Sequence, residues 1–458
     1  MPRSYDLVVL GAGTAAMTAA SRVRDQGWSV AVIDFRPFGG TCALRGCDPK
    51  KMLIGGTSAV DHARRMRGKG VAGDARIDWS ELMAFKRSFT DPVPELHERN
   101  YKSKGIDTFH GKARFTGRQT IEVAGEVLDA RYVLLATGAE PVKLGIPGEE
   151  HLVTNEQFLS LEALPARIAF VGGGYIAAEF AHIAALSGAK VTVLQHGPRM
   201  LKAFDKDLVG WLMAKFQALG IDVRTGTSVE RVDQPAHEFR VWTSRDGQKQ
   251  SIEADLVVHA AGRAPDFSGL NLEAAGVEVD GGRLKLNEFL QSVSNPAVYA
   301  AGDAAQVGPP LTPVSSHDAH IVAANMLKGN ARRPDYRGVP SVAFTVPPSP
   351  ADTVLRLSMK GCNDAPCGGF TLAQLLARAG RDADAAKVLD RWLPSGGRVL
   401  IGPGAMILRA QIAERLGDGA GAQLWYQRVL ARWGAGGAEV QSMLSLAREG
   451  AKRTARKG

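Results

Sequence analysis

The 458-residue chain is long enough for two or three domains, and a hydrophobic fraction of 45% with 52 glycines reads as a globular α/β protein rich in tight turns, which excludes a disordered one. Its net charge of +9 comes without a basic helix interleaved with stacking aromatics, so no nucleic-acid partner is implied, whereas a phosphate-rich ligand would gain from the same positive field. No apolar run of about 18 residues exists to span a membrane, and Met1-Pro2-Arg3-Ser4 enters the first strand without a leader, so the cytoplasm is expected, where a cysteine pair is more often catalytic than structural.

Leu7 to Leu10 reads as a buried parallel strand, followed at once by Gly11-Ala12-Gly13-Thr14-Ala15-Ala16. An Ala-rich helix to Arg24 comes next, then a second strand, Ser29 to Ile33, closed by Asp34. Strand, glycine turn, helix, strand and acid together make a dinucleotide-binding unit. Gly11 permits the tight turn, Gly13 lets the backbone approach a pyrophosphate, and Ala16 lets helix and strand pack closely. Free N–H groups at the helix start hold phosphate, and Asp34 is placed to accept from a ribose.

The stretch Gly39-Gly40-Thr41-Cys42-Ala43-Leu44-Arg45-Gly46-Cys47-Asp48-Pro49-Lys50-Lys51 holds two of only four cysteines, five positions apart. On a regular helix such residues have Cα atoms about 8–9 Å apart, and a disulfide wants less than about 7 Å. Pairing therefore requires a distorted helix: Gly46 relaxes the backbone, and Pro49 biases Asp48 away from the α region. On spacing alone, two buried structural thiols fit as well as a redox pair. A zinc site would want CxxC-like pairs and two further ligands nearby, so no metal is expected.

Gly-Gly-Thr-Cys, four residues, Cys-x-Pro-Lys resembles the redox-active disulfide segment of the pyridine nucleotide-disulfide oxidoreductases, the family of glutathione reductase, dihydrolipoamide dehydrogenase and mercuric reductase. The resemblance implies that Gly40 and Thr41 border FAD, and that Cys42 and Cys47 form the redox disulfide. Cys47 would be the thiolate nearer the flavin, and Cys42 the one that exchanges with substrate. Lys50 resembles the lysine that faces the flavin, held by an ion pair with Glu179. Arg45 and Asp48 flank the cysteines with opposite signs, so an added carboxylate that raises a neighbouring thiol is expected to be offset by Arg45.

Residues 52–104 read as two helices broken at Pro92 and Pro94, and short strands follow at Lys112–Phe115 and Thr120–Val123. Tyr132 to Ala139 returns as a buried strand ending in Thr137-Gly138, resembling the segment where the family leaves its flavin domain. A second dinucleotide unit opens at Ile168 to Val171 with Gly172-Gly173-Gly174-Tyr175-Ile176-Ala177, and closes with Val191 to Leu194 and Gln195. Gly172, Gly174 and Ala177 repeat the roles of the first loop. Two complete units imply two dinucleotides, and hence a flavoprotein fed by a nicotinamide. The carboxylate that normally meets a ribose is here Gln195, with His196, Arg199 and Lys202 after it, so NADPH is expected in preference to NADH.

By resemblance, Tyr175 covers the nicotinamide site, Gly262-Arg263-Ala264-Pro265-Asp266 re-enters the flavin domain, and Asp303 of Val298-Tyr299-Ala300-Ala301-Gly302-Asp303 binds the ribityl chain. Leu311-Thr312-Pro313-Val314 resembles the segment under the flavin ring. The expected architecture is α/β, with an FAD domain at 1–145 and 262–338 and an NAD(P) domain at 146–261. An atypical C-terminal region occupies 339–458. The implied function is an FAD-dependent NAD(P)H oxidoreductase of the disulfide reductase type, delivering electrons to a small disulfide, quinone or metal ion.

Val339 to Pro348 resembles the opening of the family's interface domain, and the match ends there. In the family that domain builds the dimer and donates a His-Glu pair, whereas this chain has no histidine after His320. His317 and His320 read as surface or packing residues. From about residue 370 the region reads as helical, with Leu376 to Gly380 recurring as Ile412 to Gly417, Gly380 to Gly417 giving a period of 37. This is near the about 34 residues of tetratricopeptide repeats, though a plain bundle fits equally. Cys362 and Cys367 repeat the five-position spacing and read as incidental thiols before a second relay pair. The competing readings are a flavin-binding protein with impaired disulfide turnover whose C-terminus is a protein-binding module, and an altered product of a shifted frame or fusion.

Overall fold

Eight residues of β1 (Arg3–Leu10) start the fold, with Leu7, Val8 and Val9 wholly buried, as in a strand covered on both faces. The computed structural model describes residues 2–236, 238–339, 341–345, 369–378, 380–392, 403–434 and 441–455, so Cys362 and Cys367 lie outside the described residues. The chain divides into two units, Met1–Tyr336 with Val342–Pro348, and Arg337–Ser341 with Ser349–Gly458.

In the first unit β1 leads through a glycine turn to α1 (Thr14–Arg24) and β2 (Val30–Asp34). Next come α2 (Gly40–Arg45), α3 (Cys47–Met66), α4 (Trp79–Thr90) and α5 (Val93–Ser103). Residues 52–104 thus hold three helices rather than two, because Gly68, Gly70 and Gly73 take positive φ and open a loop after Met66. The break at Pro92 is where the sequence puts it, and Pro94 sits in the first turn of α5, where no N–H is needed.

β3 (Asp107–His110), β4 (Ala113–Phe115), β5 (Thr120–Val123) and β6 (Glu126–Leu135) follow, then β7 (Ala139–Pro141) and α6 (Asn155–Phe158). A seven-stranded sheet runs β3-β2-β1-β6-β5-β4, and β6 also pairs in parallel with a late strand, Val298–Ala300. Its core strands are parallel, and β4 and β5 form the antiparallel excursion.

The second dinucleotide unit consists of β8 (Arg167–Val171), α7 (Tyr175–Leu186), β9 (Lys190–Gln195), α8 (Lys206–Ala218) and β10 (Asp222–Thr225). The meander β11 (Ser228–Asp233), β12 (Phe239–Arg245), β13 (Gln248–Ala254) leads to β14 (Leu256–His259), which completes a parallel sheet β10-β9-β8-β14. β15 (Arg263–Pro265) pairs with β7, β16 (Val279–Asp280) with β17 (Arg283–Leu284), and β18 (Val298–Ala300) is the strand on β6. α9 (Thr312–Lys328) packs on α1.

The same backbone contact closes both glycine turns. Gly11 has φ 109°, and a Cβ there would stand 2.3 Å from the Ala136 carbonyl oxygen; Gly172 has φ 110°, and its Cβ would stand 2.3 Å from that of Ala260. Ala16 and Ala177, which start the helix faces, are fully buried.

The second unit is helical: α10 (Gly369–Arg378), α11 (Asp382–Trp392), α12 (Pro403–Arg415), α13 (Gly419–Trp433) and α14 (Gln441–Ala455). α10 and α11 end and start around Gly380, φ 72°, with Gly380 N donating to Ala377 O and Arg381 N to Leu376 O. The same two bonds recur 37 residues later, Gly417 N to Glu414 O and Asp418 N to Ala413 O, around Gly417 at φ 80°. α14 continues the register: Ala373, Ala410 and Ala447 are all wholly buried. The sequence pattern showed two copies; the third helix escaped because it repeats only small buried positions.

Gly11→Ala is expected to cost about 1–3 kcal/mol, since the new methyl meets a backbone oxygen that no rotamer change can move. An unchanged thermal midpoint would show that the turn does not need glycine.

Candidate active site

The cysteine segment sits on the first glycine turn. Gly40, at φ 69°, brings its backbone so close to Gly13 that a Cβ on Gly40 would stand 2.3 Å from the Gly13 Cα. Thr41 and Cys42 then lie within α2, the helix breaks at Gly46 (φ −148°, ψ −106°), and Cys47 opens α3. The distortion expected from the spacing is therefore present, but Gly46 alone makes it. Asp48 stays helical, because Pro49 occupies the first turn, where proline fits a helix.

Cys42 and Cys47 are both free thiols, half-buried. Cys47 Sγ lies 3.5 Å from Thr312 Oγ1, the first residue of α9. Two helix N-termini, of α3 and α9, thus converge on this sulfur and favour negative charge there. The Cys47 thiol is pulled down to about 5, chiefly by the Cys42 thiol as hydrogen-bond donor, with burial opposing and Thr312, Lys50 and Lys51 assisting. Cys42 is pushed up, first by that same hydrogen bond and then by burial, with Asp48 adding to it.

Arg45 does not offset Asp48. Its Nε lies 3.4 Å from Glu156 Oε1, and burial pulls the guanidinium down while Glu156 holds it charged. The expected compensation at the thiols is therefore absent: Arg45 turns to Glu156, and Asp48 acts on Cys42.

Behind the cysteines, Lys50 Nζ stands 2.6 Å from Glu179 Oε2, with both side chains buried. Glu179 Oε1 accepts from Phe344 N at 2.8 Å, and the Phe344 ring lies 4.9 Å from Lys50 Nζ. Burial pushes the Glu179 carboxyl up, and Lys50 is the main opposing influence.

The remaining site residues gather around these. Each Asp34 carboxylate oxygen accepts one backbone N–H, from Ala12 at 2.8 Å and Arg36 at 2.9 Å, leaving lone pairs for a ribose. Thr137 and Gly138 follow β6, and Thr137 Oγ1 is buried without a partner among the described residues. Asp303 lies just after β18; burial pushes its carboxyl up and Arg263 opposes. Tyr175 begins α7 and is 38% exposed, with its phenol pushed up first by burial and then by Asp303. The turn holding Gly11, Gly13 and Gly40, the carboxylate of Asp34 and the open Thr137 hydroxyl fit a flavin dinucleotide laid along the C-terminal edge of the first sheet.

At the second dinucleotide unit, Gly172 and Gly174 lead into α7, and the Gln195 side chain lies against Gly173. Arg199 donates to the Lys202 carbonyl at 2.7 Å, so these two cations share one loop after β9, while His196 Nδ1 is 2.7 Å from Ser228 Oγ. Gly262, φ 123°, turns the chain from β14 to β15. His320 Nδ1 lies 2.7 Å from the Ser316 carbonyl one turn back on α9, and His317 Nε2 accepts from Asp335 N, beyond the end of α9, at 3.2 Å.

Three contributors were not singled out from the sequence. Thr312 supplies a hydroxyl to the cysteines; Phe344 supplies an N–H to Glu179; and Asn155, 5% exposed, donates to the Arg45 carbonyl at 2.9 Å while accepting from Arg263 at 3.1 Å. Asn155 thus ties the last carbonyl of α2, beside the break, to the strand that leads back toward Asp303. Only Thr312, a hydroxyl before proline at a helix start, left a local signal.

A family model described as pyridine nucleotide-disulphide oxidoreductase matches residues 5–319. A mercuric reductase of Staphylococcus aureus is 34% identical over 351 residues, 75% of this chain and 63% of that protein. A glutathione reductase of Burkholderia cepacia is 33% identical over 345 residues, 75% of this chain and 76% of the relative. A dihydrolipoyl dehydrogenase of Bacillus subtilis is 31% identical over 351 residues, covering 74% and 75%. The chain thus spans less than two thirds of the mercuric reductase and about three quarters of the other two.

The lowered Cys47 thiol predicts a thiolate that persists as pH falls and is protonated only near 5. Ultraviolet thiolate absorbance of the reduced protein should show this step, lose it in Cys47→Ser, and show it moved upward in Thr312→Val. A single step near the ordinary thiol value of about 8.5 would contradict the arrangement.

Proposed function

The chain belongs to the pyridine nucleotide-disulphide oxidoreductases, and on that premise we propose that it moves an electron pair from NADPH through FAD to the Cys42–Cys47 pair and on to a small acceptor. The observation that carries this reading is the asymmetric thiol pair, with Cys47 held as thiolate between two helix N-termini and Lys50 behind it. A bound flavin would take hydride from the nicotinamide and return an electron pair to the cysteines.

Gly11, Gly13, Ala16, Asp34, Gly40, Thr41, Thr137, Gly138 and Asp303 would hold that flavin. Reduction of the disulfide consumes two electrons and one proton: the sulfur–sulfur bond breaks, Cys47 leaves as thiolate and Cys42 keeps the proton. The Thr312 hydroxyl, Lys50 and the α3 N-terminus hold the negative charge on Cys47. Glu179 keeps Lys50 aimed at the site. Tyr175, exposed at the start of α7, would cover the nicotinamide position.

Gly172, Gly174, Ala177 and Gly262 shape the nicotinamide dinucleotide site, with Arg199, Lys202 and His196 supplying cations for a 2′-phosphate. Arg199→Ala with Lys202→Ala should raise KM for NADPH by about 10–100-fold, the loss of charge-assisted hydrogen bonds, and leave NADH unaffected. Equal effects on both nucleotides, or better turnover with NADH by the parent protein, would remove the NADPH assignment.

Thiol exchange demands that Cys42 lose the proton it holds, and residues 321–458 contain no histidine to manage it. Large disulfides should therefore be reduced poorly, by the about 10²–10⁴-fold that a positioned acid-base contributes. Quinones need no such group and should turn over better than glutathione disulfide. The purified protein should be yellow and develop a long-wavelength band with NADPH that Cys47→Ser abolishes. A band that survives the substitution would detach Cys47 from the reaction, and efficient glutathione disulfide turnover would reveal an unrecognised acid.

A further inference from the structure

The second unit presents a face that electron transfer does not use. α12 packs against both α10 and α14, so the three helices stand side by side in the 37-residue register. With Ala373, Ala410 and Ala447 turned inward, the next positions outward are Gln374, Gln411 and Arg448, and one turn on, Arg378, Arg415 and Lys452. Between α10 and α12, Gln374, Arg378 and Arg415 border a cleft of about 370 Å³, completed by Ala377 and Leu408.

Most of the charge on this face has no acidic partner among the described residues. Arg378, Arg448 and Lys452 are exposed and have no acidic partner among the described residues. Arg415 donates to Asp382 through Nε at 2.8 Å and Nη2 at 2.7 Å, and Nη1 has no partner among the described residues. Glu414, the acid on the same helix face, is already held by Arg453 at 3.1 Å. A row of cations with intervening amides and an apolar floor at Leu408 is complementary to a negatively charged chain.

We propose that the face of α10, α12 and α14 binds an extended acidic peptide. Packed helices stand about 8–10 Å apart, and an extended chain advances about 3.3 Å per residue. A carboxylate at every third position would therefore meet Arg378, Arg415 and Lys452 in turn. Gln374 and Gln411 carry both donor and acceptor and suit the peptide backbone between those anchors. Nucleic acid fits less well, because the described side chains of the face include no aromatic for base stacking: Trp425 is buried on α13 with Arg428 over its ring. The assignment is independent of the redox reading.

The test uses the full chain and a dye-labelled peptide with glutamate at every third position, followed by fluorescence anisotropy at low salt. Saturable binding is expected, weakened about tenfold or more by Arg378→Glu with Lys452→Glu. It should be retained within about twofold by Lys387→Glu with Lys249→Glu, an equal charge change at exposed positions elsewhere. Thermal melts of both variants report folding. No saturable binding by the parent, equal loss in the two double variants, or tighter binding of a single-stranded oligonucleotide or an anionic vesicle would each overturn the proposal.

Discussion

The buried ion pair of Lys50 with Glu179 is the contact on which the site depends. It joins the first turns of α3, which carries Cys47, to α7, which follows the second glycine turn. Taking two charges out of water is costly, and removing one partner of such a pair costs about 3–5 kcal/mol because the other stays buried. The remaining Glu179 oxygen is satisfied by Phe344 N–H, and the Lys50 cation also faces the Phe344 ring. Replacing such a pair by apolar residues is often neutral or stabilising, so bulk stability does not explain its presence. Its charge at the thiols bears on it instead: the Cys42 hydrogen bond does most to pull the Cys47 thiol down, and Lys50 adds to Thr312 in assisting.

That charge acts within an asymmetry created by a single residue. Gly46 ends one helix and lets another begin, so Cys42 lies within α2 while Cys47 stands at an N-terminus. The α3 dipole and the α9 start act on Cys47; Asp48, on the exposed side of the same turn, acts on Cys42. One proton shared by the two sulfurs therefore resides on Cys42. Asn155 holds the carbonyl at the break, so the asymmetry is braced from α6 as well as by the helices themselves.

Much of this was legible in the sequence because it is written in short segments. Both strand–glycine–helix–strand units, the cysteine spacing and the Pro92 break are local patterns, and each stands where the pattern puts it. Contacts between distant segments were not legible: Asn155 with Arg45 and Arg263, Phe344 with Glu179, and the turning of Arg45 toward Glu156. Charge order along the chain suggested that Arg45 would answer Asp48. A half-buried guanidinium instead goes to the carboxylate that can desolvate with it, and Glu156 lies across the fold. The loop after Met66 was missed for a different reason, since helical composition on both sides hid three spaced glycines.

The helical unit shows how a weak repeat can still specify a stack. Each helix pair buries too little by itself, so its stability comes from its neighbours. Small residues on the inner faces, Ala373, Ala410 and Ala447, let successive helices approach, and the two matching caps at Gly380 and Gly417 keep the register. α14 obeys the same rule by an extreme choice. A Cβ at Gly450 would stand 2.3 Å from the Tyr426 ring, so glycine is accepted within a helix, where it costs about 0.5–1 kcal/mol, to seat that helix on the wholly buried tyrosine. Among the outward cations only Arg415 is tied to a neighbouring helix, by Asp382, so packing does not dictate the charge of Arg378 and Lys452.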